Sequence, residues 1–364
     1  MPTCVLLRLP LDESLSLGIS NLLVKGSIMH EALFYTEKED KKVSCGLCPH
    51  RCVIASGAKG VCGVRKNTGG RLESLVYGRI IAEHVDPIEK KPLFHFYPGS
   101  RAFSIATVGC NFRCRHCQNA EISQMPRDKG MIMGSDRTPD EIVHAAQESG
   151  CMSISYTYTE PTIYYEFAFD TARRARELGI KNNFVTNGFI NPEPLETIQP
   201  YLDAANIDLK SFSDEFYKNV CGARLQPVLE AIRLYKKLGI WIEITTLVIP
   251  GLNDSPRELN QIASFIAEVG VDVPWHVTAF HPMYRMLDRP RTNVAILQRA
   301  REIGKQAGLR YVYTGNVPGA EGENTYCYQC GRLLIRRFGF FIQENNLKDG
   351  HCPDCGGVID GRFV

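Results

Sequence analysis

From Ala102 onward, short apolar runs alternate with longer stretches of 3.6-residue periodicity. The apolar runs at 102–108, 151–157, 181–186, 204–209, 241–249, 275–280 and 310–314 read as strands. Between them, 139–149, 161–178, 192–201, 225–238, 256–269 and 291–307 read as helices. Two helix starts carry capping signals, Thr138-Pro139-Asp140-Glu141 and Ser255-Pro256-Arg257-Glu258, and Gly150, Gly179, Gly239 and Gly308 close four helices. Strict β-α alternation predicts a parallel sheet covered by helices. Six or seven such units favour an open or partial barrel of the (β/α)6 type over a doubly wound sheet, and either would gather ligands at the C-terminal strand ends. Upstream, residues 71–98 (Leu72, Leu75, Val76, Ile80, Ile81, then Pro92 and Pro98) read as strand and linker.

A chain of 364 residues has room for one large domain and one or two small ones. Its 44% hydrophobic and 23% charged residues exclude a disordered or fibrous chain. With 42 basic against 40 acidic residues there is no electrostatic footprint for nucleic acid or an anionic membrane. No apolar run reaches the length of a membrane helix, and Arg8, Asp12 and Glu13 interrupt the apolar groups near the start, so no signal peptide is expected. Met29 opens a more conventional start. Residues 1–28 are therefore expected to be an extension or a start-site artefact.

The cysteines change the picture. Of fourteen, eleven fall in three spaced groups, which argues for metals in a reducing cytoplasm rather than disulfides. Cys45, Cys48, Cys52 and, nine residues on, Cys62 make a four-thiolate cage for zinc or an auxiliary iron–sulfur cluster, with His50 as a spare ligand. Cys327 and Cys330, then Cys352 and Cys355 after twenty-one residues, each pair followed by glycine, make a zinc-ribbon signature. Cys110, Cys114 and Cys117 stand as CxxxCxxC after the first strand of the alternating region. Three thiolates can hold three irons of a 4Fe–4S cube and leave the fourth open to a chelating ligand. The competing readings are three of four zinc ligands or small core residues. Cys4, Cys151 and Cys221 have no spaced partner and read as packing or surface residues.

Five polar stations follow successive strands: Glu160 before Pro161, the turn Thr186-Asn187-Gly188, Asp208 and Lys210 on one strand face, Asn253-Asp254, and His281 before Pro282. Singly these residues are ordinary turn, ion-pair and hydrogen-bonding groups. Together they line the strand ends where a small zwitterionic ligand would sit.

CxxxCxxC is the signature of the radical S-adenosylmethionine enzymes, which the chain resembles. From Cys110 to about Tyr313 it is similar to glycyl-radical-enzyme activases such as the pyruvate formate-lyase-activating enzyme. From Met29 onward, with the leading cage, Trp275-His276-Val277-Thr278-Ala279-Phe280-His281-Pro282 and the terminal cysteine pairs, it resembles the radical enzyme of the AmmeMemoRadiSam system. The resemblance implies Cys110, Cys114 and Cys117 as cluster ligands and Glu160 at the methionyl amine of S-adenosylmethionine. It further implies Thr186, Asn187, Asp208, Lys210 and His281 around that cofactor. Two departures stand out: Tyr158-Thr159 replace the paired glycines before the glutamate, and Val185 stands where activases often have aspartate. The layout it implies is a Cys-rich segment 29–98, a radical core 99–318 and a zinc ribbon 319–364. It also implies a ferredoxin or flavodoxin as reductant, and a protein substrate or the companion proteins of that system as partners. A non-catalytic metalloprotein is the competing class, and the near-zero net charge and the strand-end polar set count against it.

Overall fold

The computed structural model of the protein describes residues 30–317 and 319–363. The 1–28 extension, Met29 as a start, and Cys4 lie outside the described residues.

One eight-stranded sheet organises the molecule. Its strands are β1 (Ala82–Pro87), β2 (Arg101–Ala106), β3 (Ser153–Tyr156), β4 (Lys181–Thr186), β5 (Ala204–Asp208), β6 (Trp241–Val248), β7 (Trp275–Ala279) and β8 (Val312–Gly315). They lie side by side in sequence order, β2 to β8 parallel and β1 antiparallel at one edge. Sequential order means that every crossover steps the same way, which excludes the reversal of a doubly wound sheet. The helices that connect the parallel strands include α1 (Pro139–Glu148), α2 (Tyr165–Glu177), α3 (Pro192–Ile198), α4 (Leu225–Lys237), α5 (Pro256–Val269) and α6 (Val294–Gln306). They follow the periodicity of the sequence to within a few residues. The expected start at 161 is a 3-10 turn, Pro161–Tyr164, leading into α2.

The local physics is visible in two elements. Thr138 caps α1 reciprocally: its Oγ1 accepts from the Glu141 amide (3.3 Å) and its amide donates to the Glu141 carboxylate (2.7 Å). In α5, Leu259, Ile262, Ala263 and Ile266 form one fully buried stripe, where each large side chain contributes roughly 1.5–3 kcal/mol. Strand β3 is buried at every position, and its serines are satisfied across the sheet. Ser155 Oγ donates to Asn183 Oδ1 (2.7 Å), and Asn183 Nδ2 donates to Ser153 Oγ (3.1 Å).

The segment expected as strand and linker before residue 99 does more than connect. It supplies β1 to the core sheet, and its 88–97 portion covers the N-terminal strand ends, where Ile88, Leu93 and Phe96 pack against Ala102, Ala204 and Trp241. Phe94 and His95 donate their amides to the buried Glu243 carboxylate near the start of β6 (3.0 and 2.8 Å). The C-terminal module, a three-stranded antiparallel sheet of 325–326, 333–338 and 341–345, docks onto the same segment. The Arg337 guanidinium sits 4.2 Å from the Phe94 ring, and Tyr97 donates its amide to the Arg362 carbonyl (2.6 Å). The residues around Cys45–Cys62 pack at the other end. There Asn191, beyond β4, donates its amide to the Leu47 carbonyl (3.1 Å).

Candidate active site

The cysteine triplet leaves the C-terminal end of β2 through Gly109, whose φ of +105° and surroundings demand glycine. A Cβ there would meet Val64 Cγ1 at 2.7 Å and the Cys62 carbonyl at 3.3 Å. The loop is then pinned by backbone bonds from Arg113 and Arg115 to the Cys221 and Val220 carbonyls (2.8 and 3.0 Å). Asn111 locks it from the other side. Its Nδ2 donates to the Phe189 carbonyl (3.0 Å), and its Oδ1 accepts from Asn187 Nδ2 (2.8 Å). Cys110 Sγ accepts from the Phe112 amide at 3.3 Å, and Cys117 Sγ lies 3.1 Å from Ser123 Oγ.

Glu160 joins the strand ends. Fully buried beyond β3, it accepts at Oε1 from the Thr162 amide (3.1 Å), Thr162 Oγ1 (2.7 Å) and Thr186 Oγ1 (2.7 Å), and at Oε2 from the Asn187 amide (2.8 Å). Burial lifts its carboxyl above the ordinary range and these donors oppose the lift. Oε2 keeps an acceptor position beyond the Asn187 bond. Thus Glu160, Thr186 and Asn187 form one network that reaches the triplet through Asn111.

Asp208 and Lys210 pair at 2.8 Å beyond β5. Burial works against the Lys210 charge, but Asp208 and the Cys114 and Cys221 thiols hold the ammonium well above its usual range. Cys221, read from sequence as a packing residue, lies within 4.8 Å of Cys114 and His116, and its hydrogen bond lowers the Cys114 pKa. Only three-dimensional proximity reveals this, since Cys221 stands more than a hundred residues from the triplet. His116 is buried with no partner at Nδ1, and burial beside Lys210 pushes its pKa down to about 3. His281 is exposed past β7, outside this hydrogen-bonded set. The loop that carries it folds back onto the triplet, where Arg285 donates its amide to the Arg115 carbonyl (3.0 Å).

At the departure from Gly-Gly, Tyr158 takes φ +59°, the conformation a glycine would supply. It is held there by its hydroxyl on Asp86, by Lys91 Nζ 4.5 Å from its ring centre, and by Asn119 Nδ2 donating to its carbonyl (2.8 Å). The pair Asp86–Lys91 (2.7 Å) is itself buried, and burial draws the Lys91 pKa down to about 8.

The three cysteine groups differ in spacing. Cys327, Cys330, Cys352 and Cys355 bring their sulfurs within 4.8 Å of one another, with 3.7 Å between Cys327 and Cys355 and 3.6 Å between Cys330 and Cys352. Tetrahedral zinc–thiolate coordination gives edges of about 3.8 Å. Among the described residues, neither the triplet nor the leading cage contracts to this extent. Thiolates around a cube of four irons stand about 6 Å apart, so the triplet's donor set fits a cluster better than a single ion.

The model of the Radical SAM superfamily matches residues 104–265, the span that holds the triplet and the strand-end network. Over 335 residues the chain is 50% identical to the uncharacterized protein MJ0808 of Methanocaldococcus jannaschii, covering 91% of this chain and 99% of that one. This chain belongs to the radical SAM superfamily. Members of that superfamily are enzymes that work with a 4Fe–4S cluster and S-adenosylmethionine, and this chain is an enzyme. It is also 27% identical over 189 residues to the isethionate sulfite-lyase activating enzyme of Nitratidesulfovibrio vulgaris, which takes in 48% of this radical SAM chain and 61% of that protein's length. A solved domain of a pyruvate-formate lyase-activating enzyme from Bacteroides vulgatus aligns with 45% of the chain at 18% identity and a TM-score of 0.40.

Proposed function

We propose that this radical SAM enzyme cleaves S-adenosylmethionine reductively at a cluster on Cys110, Cys114 and Cys117 and uses the product radical to abstract hydrogen from a substrate. The observation that carries this is the direct link from the triplet loop through Asn111 to Asn187 and Glu160 (2.8 Å at each step), which sets a buried carboxylate beside three thiols at the strand ends. When bound, the cluster and S-adenosylmethionine supply one-electron cleavage of a carbon–sulfur bond and a 5′-deoxyadenosyl radical. The chain's own groups bind and orient. Cys110, Cys114 and Cys117 hold three irons, and Glu160 Oε2 takes the methionyl ammonium. Thr186 and Asn187 fix the carboxylate's rotamer. The Asp208–Lys210 pair meets the ribose side, and His116 stays neutral against the adenine. His281 is assigned no contact in this set. The surrounding burial excludes water from a reactive radical.

The core then acts as a partial (β/α)6 barrel, the C-terminal module as a zinc ribbon on Cys327, Cys330, Cys352 and Cys355, and the 29–98 segment as a cysteine-rich unit that lends β1 to the core sheet. The substrate and partners follow the AmmeMemoRadiSam resemblance. The activating enzyme named above matches about half of this chain, while the relative of 50% identity spans nearly all of it. An activase role, with a glycine Cα of a partner enzyme as hydrogen donor, is the second reading, favoured by that same partial match.

Anaerobically reconstituted protein with dithionite and S-adenosylmethionine is expected to release 5′-deoxyadenosine and methionine. No release, with iron content intact and S-adenosylmethionine bound, would overturn the proposal.

A further inference from the structure

The leading cysteines do more than fold a loop. Cys45, Cys48, Cys52 and Cys62 line one pocket together with Arg65, His50, Asn111 and Thr162. A single zinc ion would draw the four sulfurs to about 3.8 Å of one another. The C-terminal cysteines stand at that spacing, yet among the described residues no three sulfurs of the leading cage gather within 4.8 Å. The cage is too wide for one ion.

Arg65 supplies an independent sign. Its side chain is 2% exposed, and one nitrogen, Nη2, is used, on Glu166 Oε1 (2.7 Å) and the Leu33 carbonyl (2.8 Å). Its Nε and Nη1 are buried without a partner. Buried guanidinium donors are costly to leave unmade, and this one borders four thiols. A cube with four thiolates carries about two negative charges, and its sulfur atoms accept hydrogen bonds, so it matches both the wide spacing of the sulfurs and the orphaned donors. His50 is not needed as a ligand, because its Nε2–H is donated to the Asn111 carbonyl (2.8 Å).

We infer that Cys45, Cys48, Cys52 and Cys62 hold a second 4Fe–4S cluster, fully ligated by thiolate and faced by Arg65, as a one-electron site beside the triplet. Four thiolates leave no open iron, which excludes substrate chelation and leaves electron transfer. Its neighbours fit that role: Asn111 follows Cys110, and the Cys62 carbonyl abuts Gly109, so the two sites share a wall. One electron from a low-potential protein donor of the ferredoxin class would reduce this cluster and pass on to the triplet, with no bond made or broken. That last transfer rests on the function proposed above. The cluster itself does not.

The test uses the full chain reconstituted anaerobically with ferrous iron and sulfide. Wild type should take up about eight irons, and Cys48→Ala/Cys62→Ala about four. Because that variant could misfold, the decisive protein is Cys110→Ala/Cys114→Ala/Cys117→Ala. It should still bind about four irons and, once reduced by dithionite, give a paramagnetic signal that S-adenosylmethionine leaves unchanged. If it instead takes up no iron, the second cluster is overturned. A signal that shifts with S-adenosylmethionine would overturn full thiolate ligation. Release of 5′-deoxyadenosine by wild type is scored separately, so the two proposals fail independently.

Discussion

Glu160→Gln isolates the hydrogen-bond network at the heart of the site, because the change keeps shape and removes charge. The glutamine carbonyl would take the Oε1 position, where three donors converge from Thr162 and Thr186. Its amide nitrogen then faces the Asn187 amide at the 2.8 Å now spanned by Oε2, donor against donor. The opposite rotamer loses three bonds to save one, so the first is chosen. Three bonds to a charged acceptor become neutral, a loss of about 1 kcal/mol each. Against this, a buried charge disappears, and the upward direction of the Glu160 pKa shows that its burial cost exceeds what the donors return. What remains is one orphaned buried N–H, about 1–3 kcal/mol of destabilisation. The pH dependence has a definite sign. A carboxyl raised on folding binds more protons folded than unfolded, so its contribution to stability falls as pH climbs from the ordinary carboxylate range upward. Glu160→Gln should lack that component. Urea denaturation of the metal-free protein at several pH values, with binding of S-adenosylmethionine to the reconstituted protein by calorimetry, reads both effects. A variant as stable as wild type that binds the cofactor equally well would refute the reasoning.

Three further outcomes are expected. Burial lowers the His95 pKa to about 4 and that of His116 to about 3, so each stays neutral while the unfolded chain protonates near pH 6.5. Stability should then fall on acidification below that value, by about 2 kcal/mol per histidine at pH 5, and His95→Gln should flatten the urea-measured slope between pH 7 and 5 by that amount. Tyr158→Ala and Tyr158→Gly both lose the hydroxyl on Asp86, but only alanine keeps a Cβ at φ +59°, so glycine should be more stable by about 1 kcal/mol in thermal melts. Cys330→Ala/Cys355→Ala should lose about one zinc per chain and expose 319–363 to limited proteolysis, while iron uptake stays at the wild-type level.

The sequence by itself determined the repeating β-α order, because short continuous apolar runs suit strands buried on both faces and a 3.6-residue period is imposed locally by helix geometry. It also singled out the eleven grouped cysteines, because metal-binding loops need close spacing along the chain. Strand and helix boundaries such as 181–186 and 256–269 were legible for the same reason. What brings Cys221 to Cys114, or Asn111 to Asn187, is crossover packing between elements distant in sequence, and no local pattern encodes it. The conformation of Tyr158 was equally hidden, since a tyrosine at positive φ is held only by partners from other segments, Asp86 and Lys91. Tertiary structure alone decided the placement of the flanking cysteine groups. The terminal group docks through Arg337 on Phe94 at the N-terminal strand ends, remote from the triplet, whereas Val64 and Cys62 press against Gly109 and bring the leading cage to the triplet's side. Two four-cysteine groups with related spacings were thereby sorted by packing, one into a distant support and the other into a neighbour of the reaction site.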